Sequence, residues 1–457
     1  ILFHIADMNS FYSTHSSNGH KNRSFNLSVI CFHPTCAGVT LRVVFLNYKL
    51  HFVSNFHAKI QQISFIFFTF AIQTINYIMF SLIITSLPEI STFIFAGIVL
   101  VQILYYCFLF FRFSFYKRKE RPNTHQYPIS IVVAAKDQAH QLINLIPKLL
   151  EQNYPTFELV IISDNSNDET AHLIKEFKQT HENIKFTNLD SAVTTIKGRK
   201  FPISIGIKTA TYDHILFTEP DCIPSSKEWL ANMARNFQQK KEIIVGYNTY
   251  ENKKGLFNSL IHYDQLHNAI LYFSCILAKI PYMGNGKNMA YSREVFYRRK
   301  GFAGLSHIQL GEDDLFINRA ATPDNCTIEI SPNTHIISSA RGNFKNWFLT
   351  KRFRYSTRNL YTSKVRFHLN TYGFSNPLCY IFLGLSLYFT ITAHNFLFLY
   401  ITCGIFFLKL LFQYIAFGFA ASKLNEKKLI PYILFLDIIS TFINALIFFR
   451  ARLSNKK

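Results

Sequence analysis

Charge is scarce in this chain, and acid is scarcer than base. Only 16% of its 457 residues are Asp, Glu, Lys or Arg, and 27 acidic against 48 basic residues leave a formal net charge of +21. With 49% hydrophobic residues and 48 phenylalanines, the chain is too apolar for an ordinary soluble enzyme. No zinc knuckle or RNA-binding aromatic signature accompanies the positive charge, which argues against a nucleic-acid partner. The basic runs at 116–121 and 422–428 abut apolar stretches instead, and that arrangement points to a membrane. The eight cysteines have no repeating spacing, and Cys107, Cys379 and Cys403 lie inside apolar runs. A disulfide framework is thereby disfavoured and a reducing compartment expected. Cys31 and Cys36 form a lone C-x4-C without a second pair, and His262, His267, His307 and His335 show no metal-binding spacing.

What is present divides the chain into four parts. Residues 1–78 show no sustained period, and Met79 opens a more ordinary membrane-protein beginning; the expectation is that much of 1–78 is a translated upstream region or fragment without a fold. Residues 79–115 read as a transmembrane anchor. Their run Ile90–Phe111 carries no charge and is long enough, at about 1.5 Å per residue, to cross a core of about 30 Å. The cluster Arg112, Lys117, Arg118, Lys119 and Arg121 follows it and places that end in the cytoplasm. An earlier run, 63–87, carries Gln73 and Asn76 and is a weaker span.

Residues 116–370 change texture. The runs 129–135, 157–164 and 214–221 read as strands ending in polar residues, and the patterns 138–151 and 168–179 read as helices between them. Strands alternating with helices predict an α/β domain with a mostly parallel central sheet. Ligands gather at the carboxyl ends of such strands, where Asp137, Asp164 and Asp221 all fall. Residues 371–457 hold three apolar runs, 377–393, 396–420 and 429–449. The last contains Asp437 and Asn444, whose exposure to lipid would be costly, so the region holds two or three apolar helices, the last either crossing or taking an interfacial or re-entrant course.

Glu219 and Asp221 pose the chemical question, since two anions repel unless a cation or proton lies between them. Mg2+ or Mn2+ clamping a nucleoside diphosphate answers it; from these two residues alone a solvated strand-end turn is the better answer, since an acidic pair two apart is a weak signal. Similarly, "GEDD" at 311–314 fits either a catalytic acidic pair or a helix start that favours acid. Trp229 and Phe237, at helical spacing after the carboxylates, read as core.

Taken together and in order, the segments "PISIVVAAKDQ", "YPTFELVIISDNSNDET", "KGRKFPISIGIKTATYDHILFTEPDCIP", "PYMGNGKNMAYSREVF" and "GEDDLF" resemble the membrane-bound family 2 glycosyltransferases of the GT-A fold. The resemblance covers about 128 to 360 and the flanking spans. It implies a nucleotide-sugar donor, a divalent cation (Mg2+ or Mn2+), and a lipid or glycan acceptor. It also implies a multi-pass membrane protein, as in a bacterial inner membrane, with its catalytic domain in the cytoplasm.

Position by position, the resemblance assigns Asp164, Lys200, Ala135 and Asp137 to the nucleotide, and Asp221 with Glu219 to the metal. Asp313 becomes the general base, with Glu312 beside it, and inversion at the anomeric carbon follows. Gly286, Arg354 and Tyr355 fall on the acceptor or diphosphate side, although 347–358 reads equally as a basic helix on anionic lipid, and both roles are compatible. The chain departs from the family pattern at Gln138, Ser163, Glu219, Pro220, and at Thr350 or Lys351, which stand where Gln is usual. The last departure puts processive polymerisation in doubt. Two rivals remain. A nucleotidyltransferase would show a glycine-rich basic loop after the first strand, which "AAKDQAHQL" lacks; a catalytically impaired protein would keep the fold only to bind nucleotide sugar or to assemble.

Overall fold

The run Ile129–Ala135 is buried at every position, as expected of a parallel strand covered on both faces. A computed structural model describes residues 25–35, 38–48, 56–118, 126–189, 198–238, 240–339 and 343–454. The chain divides into two units, Ile1–Thr85 and Ser86–Lys457. In the first, Phe25–Thr35 pairs antiparallel with Gly38–Tyr48 along its whole length, so part of the segment read as 1–78 has regular structure that its periodicity did not show. A helix, Phe56–Tyr105, follows; residues 1–24, 36–37 and 49–55 lie outside the described residues.

The second unit is built on a seven-stranded sheet. In chain order its strands are β1 (Ile129–Ala135), β2 (Phe157–Asp164), β3 (Ile184–Leu189), β4 (His214–Thr218), β5 (Ile243–Val245), β6 (Met289–Ser292) and β7 (Cys326–Ile328). The spatial order is β7-β5-β6-β4-β1-β2-β3, with β6 antiparallel to both neighbours and the other pairs parallel. This is the mostly parallel sheet expected from the sequence. Registers Ala135↔Ser163 and Val133↔Thr218 bring the carboxyl ends of β1, β2 and β4 to one edge of the sheet.

Alternation along β1 and β2 separates two cores. Ile129, Ile131, Val133, Leu159 and Ile161 pack under helix Ala139–Leu150, whose Leu142, Leu145, Ile146 and Leu149 repeat at helical spacing; Trp229 and Phe237 belong to the same cluster, as read. Val132, Ala134, Val160 and Ile162 face the other way, towards Lys200–Thr209 and the long helix Leu256–Leu277. Gly206 permits that approach: a Cβ there would lie 2.5 Å from Val132 Cγ1.

Four helical segments are long and apolar enough to cross a membrane: Ser86–Ser114, Ser363–Thr392, Phe396–Lys423 and Lys427–Ala451. They flank the α/β domain in sequence, and polar groups join three of them. The Thr92 hydroxyl lies 2.8 Å from that of Ser386 and 3.1 Å from that of Thr402, and Gln102 donates to Asn376 at 2.9 Å. The last run forms a regular helix, Ile433–Ser454. Its Asp437 is turned inward, accepting from Tyr263 at 2.8 Å and Tyr380 at 2.6 Å, with Lys409 Nζ at 3.7 Å, so the carboxylate is buried and partnered. Among the described residues all six cysteines with described side chains are free.

Candidate active site

Three structural features converge on the edge where β1, β2 and β4 end. The first is the turn after β4, which carries Glu219 and Asp221. Cys222 follows at the start of the short strand Cys222–Pro224, which pairs with Ile336–Ser338. Ligand atoms of Glu219, Asp221 and Cys222 lie within 4.8 Å of one another. The thiol is an unsuitable ligand: burial pushes it up to about 12, and it donates to Asp221 at 3.3 Å.

The second feature is the turn before β6. Its Lys287, almost fully buried, reaches Asp221 at 2.6 and 2.9 Å, Glu219 at 3.4 Å and Ser338 at 3.2 Å. Arg199 pairs with the other side of Glu219. Burial opposes ionisation of Glu219, but Arg199 and Lys287 outweigh it and hold the carboxyl at about 2. Sequence reasoning missed both cations. It chose Lys200, and the structure revises that choice: the Lys200 ammonium is buried and donates to the Ile308 carbonyl at 2.6 Å, holding the loop that leads to Glu312. Its neighbour Arg199 lines the cavity instead.

The third feature is the segment 311–314. Gly311 has φ +114°, a conformation that side chains disfavour, and the chain turns there to present Glu312 and Asp313. Asp313 caps helix Asp314–Ala320, accepting from the Asp314 amide at 2.8 Å on one oxygen and from the Gly286 amide at 3.4 Å on the other. Glu312 is buried with Oε2 unpartnered. Burial, then the neighbouring Asp313, push its carboxyl up to about 7 despite Arg199 and Lys200. Asp314 is fixed from behind by Thr357 at 2.6 Å and Tyr361 at 2.7 Å, which ties the acidic segment to helix Phe344–Thr357 and the residues after it.

These groups face one another across a cavity of about 250 Å³ lined by Arg199, Glu219, Lys287, Glu312, Asp313 and Arg354, with Tyr355 and Arg358 on its wall. Burial opposes the charge on Arg354, but Asp313 and Glu219 keep it protonated. Gly286 lines the adjoining recess; a Cβ there would stand 3.6 Å from Asp313 Cβ and 3.9 Å from Glu219 Oε1, in the space between the two carboxylates. Lys351, at the position discussed for the family Gln, forms a buried ion pair with Asp264.

Asp164 and Ala135 lie at the ends of β2 and β1, on the same edge as Glu219. Asp137 has a left-handed backbone, and its carboxylate accepts from the Asn167 amide at 2.6 Å. It therefore braces the turn after β2, while its side chain stays exposed at the same edge of the sheet.

This arrangement, a GT-A sheet with acidic groups at its carboxyl edge, meets an independent match: residues 130–299 fit the description Glycosyl transferase family 2. The chain carries a family 2 glycosyltransferase domain. Among relatives of the glycosyltransferase domain, poly-beta-1,6-N-acetyl-D-glucosamine synthase of Staphylococcus epidermidis is 30% identical over 95 residues, covering 21% of this chain and 22% of that protein. The synthase of Staphylococcus aureus (strain COL) is 24% identical over 163 residues, 35% of this chain and 38% of that protein. The matched stretches thus span well under half of these relatives. The solved mannosyltransferase PcManGT from Pyrobaculum calidifontis, in complex with GDP-Man and Mn2+, superposes with a TM-score of 0.50 at 16% identity, covering 75% of this chain and 98% of that one; the likeness is one of fold.

Proposed function

We propose that the chain transfers a sugar from a nucleoside diphosphate donor to an acceptor hydroxyl, with inversion at the anomeric carbon, on the cytoplasmic face of a membrane. The observation that carries this reading is the placement of Asp313 across one cavity from Glu219, Lys287, Arg199 and Arg354. A carboxylate that bonds only backbone amides from one side is free to accept a hydroxyl proton from the other. Cations on the opposite wall suit the charge that builds on a departing diphosphate. Asp164, at the end of β2, would meet the base of the nucleotide in this reading.

The two carboxylates fit a divalent cation. Glu219 and Asp221 offer hard oxygens within reach of one another, each partly exposed to the cavity side. Asp221 and Glu219 would hold Mg2+ or Mn2+, which when bound supplies electrostatic stabilisation of the leaving diphosphate. Lys287 and Arg199 already pair with these carboxylates, so both would compete with a divalent cation for their oxygens.

The test is nucleotide release by the detergent-purified chain, screened over common nucleotide sugars with Mg2+ or Mn2+ and a mixed membrane acceptor. Metal-dependent release, abolished by Asp221→Ala, supports transfer, and the product's anomeric configuration reads inversion directly. Nucleotide binding without any release would favour a protein that keeps the fold only to bind.

A further inference from the structure

A second cavity, of about 320 Å³, lies against the first. The two share Asn268, Leu271, Tyr355 and Arg358 as walls, so the new chamber adjoins the acidic site at these side chains. It runs between helix Ser363–Thr392 and helix Ile433–Ser454, which make up most of two segments long and apolar enough to cross a membrane. Phe374, Leu378, Ile381, Phe442 and Phe448 line its length. Of these, Phe374, Leu378, Ile381 and Phe442 are each at least 40% exposed, so the chamber opens sideways to the surroundings of those helices.

Charge is distributed unevenly along it. Arg358 is the sole Asp, Glu, Lys or Arg among the lining residues, and it stands at the junction with the reaction cavity, its guanidinium over the Tyr355 ring and donating to the Leu369 carbonyl at 3.3 Å. Of the deeper polar groups, Asn376 accepts from Gln102 and the Asn444 amide donates to Ser440, which leaves Asn444 Oδ1 without a partner. A glycan threaded here would lose hydration at most of its hydroxyls against walls made largely of phenyl and alkyl groups, with few polar groups such as Asn444 Oδ1 to answer them. A hydrocarbon chain loses nothing there.

We propose that the chamber holds the hydrocarbon tail of the acceptor, and that the acceptor is a hydroxyl-bearing lipid whose head reaches Asp313 past Tyr355 and Arg358. The inference rests on the transferase reading above and names its acceptor class. In the step, the lipid hydroxyl oxygen bonds to the anomeric carbon as the bond from that carbon to the phosphate oxygen breaks. The hydroxyl proton passes to Asp313, and the nucleoside diphosphate leaves with the bonding pair.

Ala445 and Gly373 both line the chamber, and a Cβ built on Gly373 meets only Arg358 Nη1, at 3.9 Å. Ala445→Phe and Gly373→Phe therefore fill it from two sides. The full chain in nanodiscs is given its donor and 1-O-alkylglycerols from butyl to hexadecyl, with chitotetraose as the soluble glycan. The readout is the ratio of wild-type to variant kcat/KM at each chain length, in which partition of the acceptor into the bilayer cancels. The expected loss in both variants grows with tail length and reaches at least about tenfold at dodecyl, since each buried methylene contributes separately. A ratio that does not change with tail length, or a preference for chitotetraose, overturns the proposal.

A dodecylglycerol carrying a tail diazirine gives a reading independent of turnover. Label on 373–381 and 441–449, competed by dodecylglycerol and lost in both variants, is expected; label elsewhere overturns the chamber assignment. Label in the chamber with transfer insensitive to tail length would mark a bound membrane lipid and sink the acceptor role. Absence of nucleotide release with every acceptor and with water would refute the transferase reading, and the acceptor role with it, while the label would still report on the chamber.

Discussion

Replacing Glu312 by Gln isolates one proton. In the folded protein its carboxyl is held up to about 7, against 4.5 for an ordinary glutamate, first because it is buried and then because Asp313 is adjacent. The folded state thus binds this proton more tightly than the unfolded chain, and its contribution to stability falls as pH rises from about 4.5 to about 7. The whole gap corresponds to about 3 kcal/mol, of which about 2 kcal/mol is lost between about pH 5.5 and about pH 8. At about 2.1 cal/mol/K per residue, a unit of this size has an unfolding entropy of about 0.8 kcal/mol/K, so the loss amounts to a Tm decrease of about 2–3 °C. Scanning calorimetry of the donor-free chain in one detergent, at both pH values, should show that decrease in the wild type beyond whatever Glu312→Gln shows. At the higher pH the variant should be the more stable of the two, because it buries no charge. Parallel pH dependences in the two proteins would refute the claim that Glu312 holds a proton near neutrality.

Lys287→Met should raise the affinity of the donor-free protein for Mn2+ by at least about tenfold, because an ammonium 2.6 Å from Asp221 competes for the same oxygens. Titration followed by the Mn2+ resonance signal reads this, and an unchanged affinity would place the cation elsewhere. Tyr361→Phe removes one of two hydroxyls that hold Asp314 and should cost about 1–3 kcal/mol in denaturant unfolding, with a fall in kcat that exceeds any change in donor KM. Equal effects on both constants would detach Asp314 from the positioning of Asp313.

The strand ends were legible because apolar runs that stop at a polar residue mark the carboxyl edge of a parallel sheet whatever surrounds them. Asp164, Glu219 and Asp221 were found that way, and Asp313 by its place in an ordered series of segments. Lys287 and Arg199 were not found, although both lie inside stretches singled out for their motifs. A basic side chain declares no partner in the sequence: Lys287 meets Asp221 from 66 residues away. Arg199 and Lys200 adjoin at the start of one helix, and the turn of that helix sends one to the cavity and the other to the Ile308 carbonyl. Asp437 shows the same limit. Its cost in an apolar run was readable, while its partner Tyr263, 174 residues earlier, was not. The apolar chamber was equally hidden, since nothing in three hydrophobic runs says which faces leave space between them.

The most direct measurement is kcat of Asp313→Asn beside wild type, with a donor that the wild type turns over. A general base removed without change of shape should lower kcat by about 10²–10⁴-fold while leaving the donor KM close to its original value. A kcat within a few-fold of wild type would contradict the assignment of Asp313 as the group that takes the acceptor's proton.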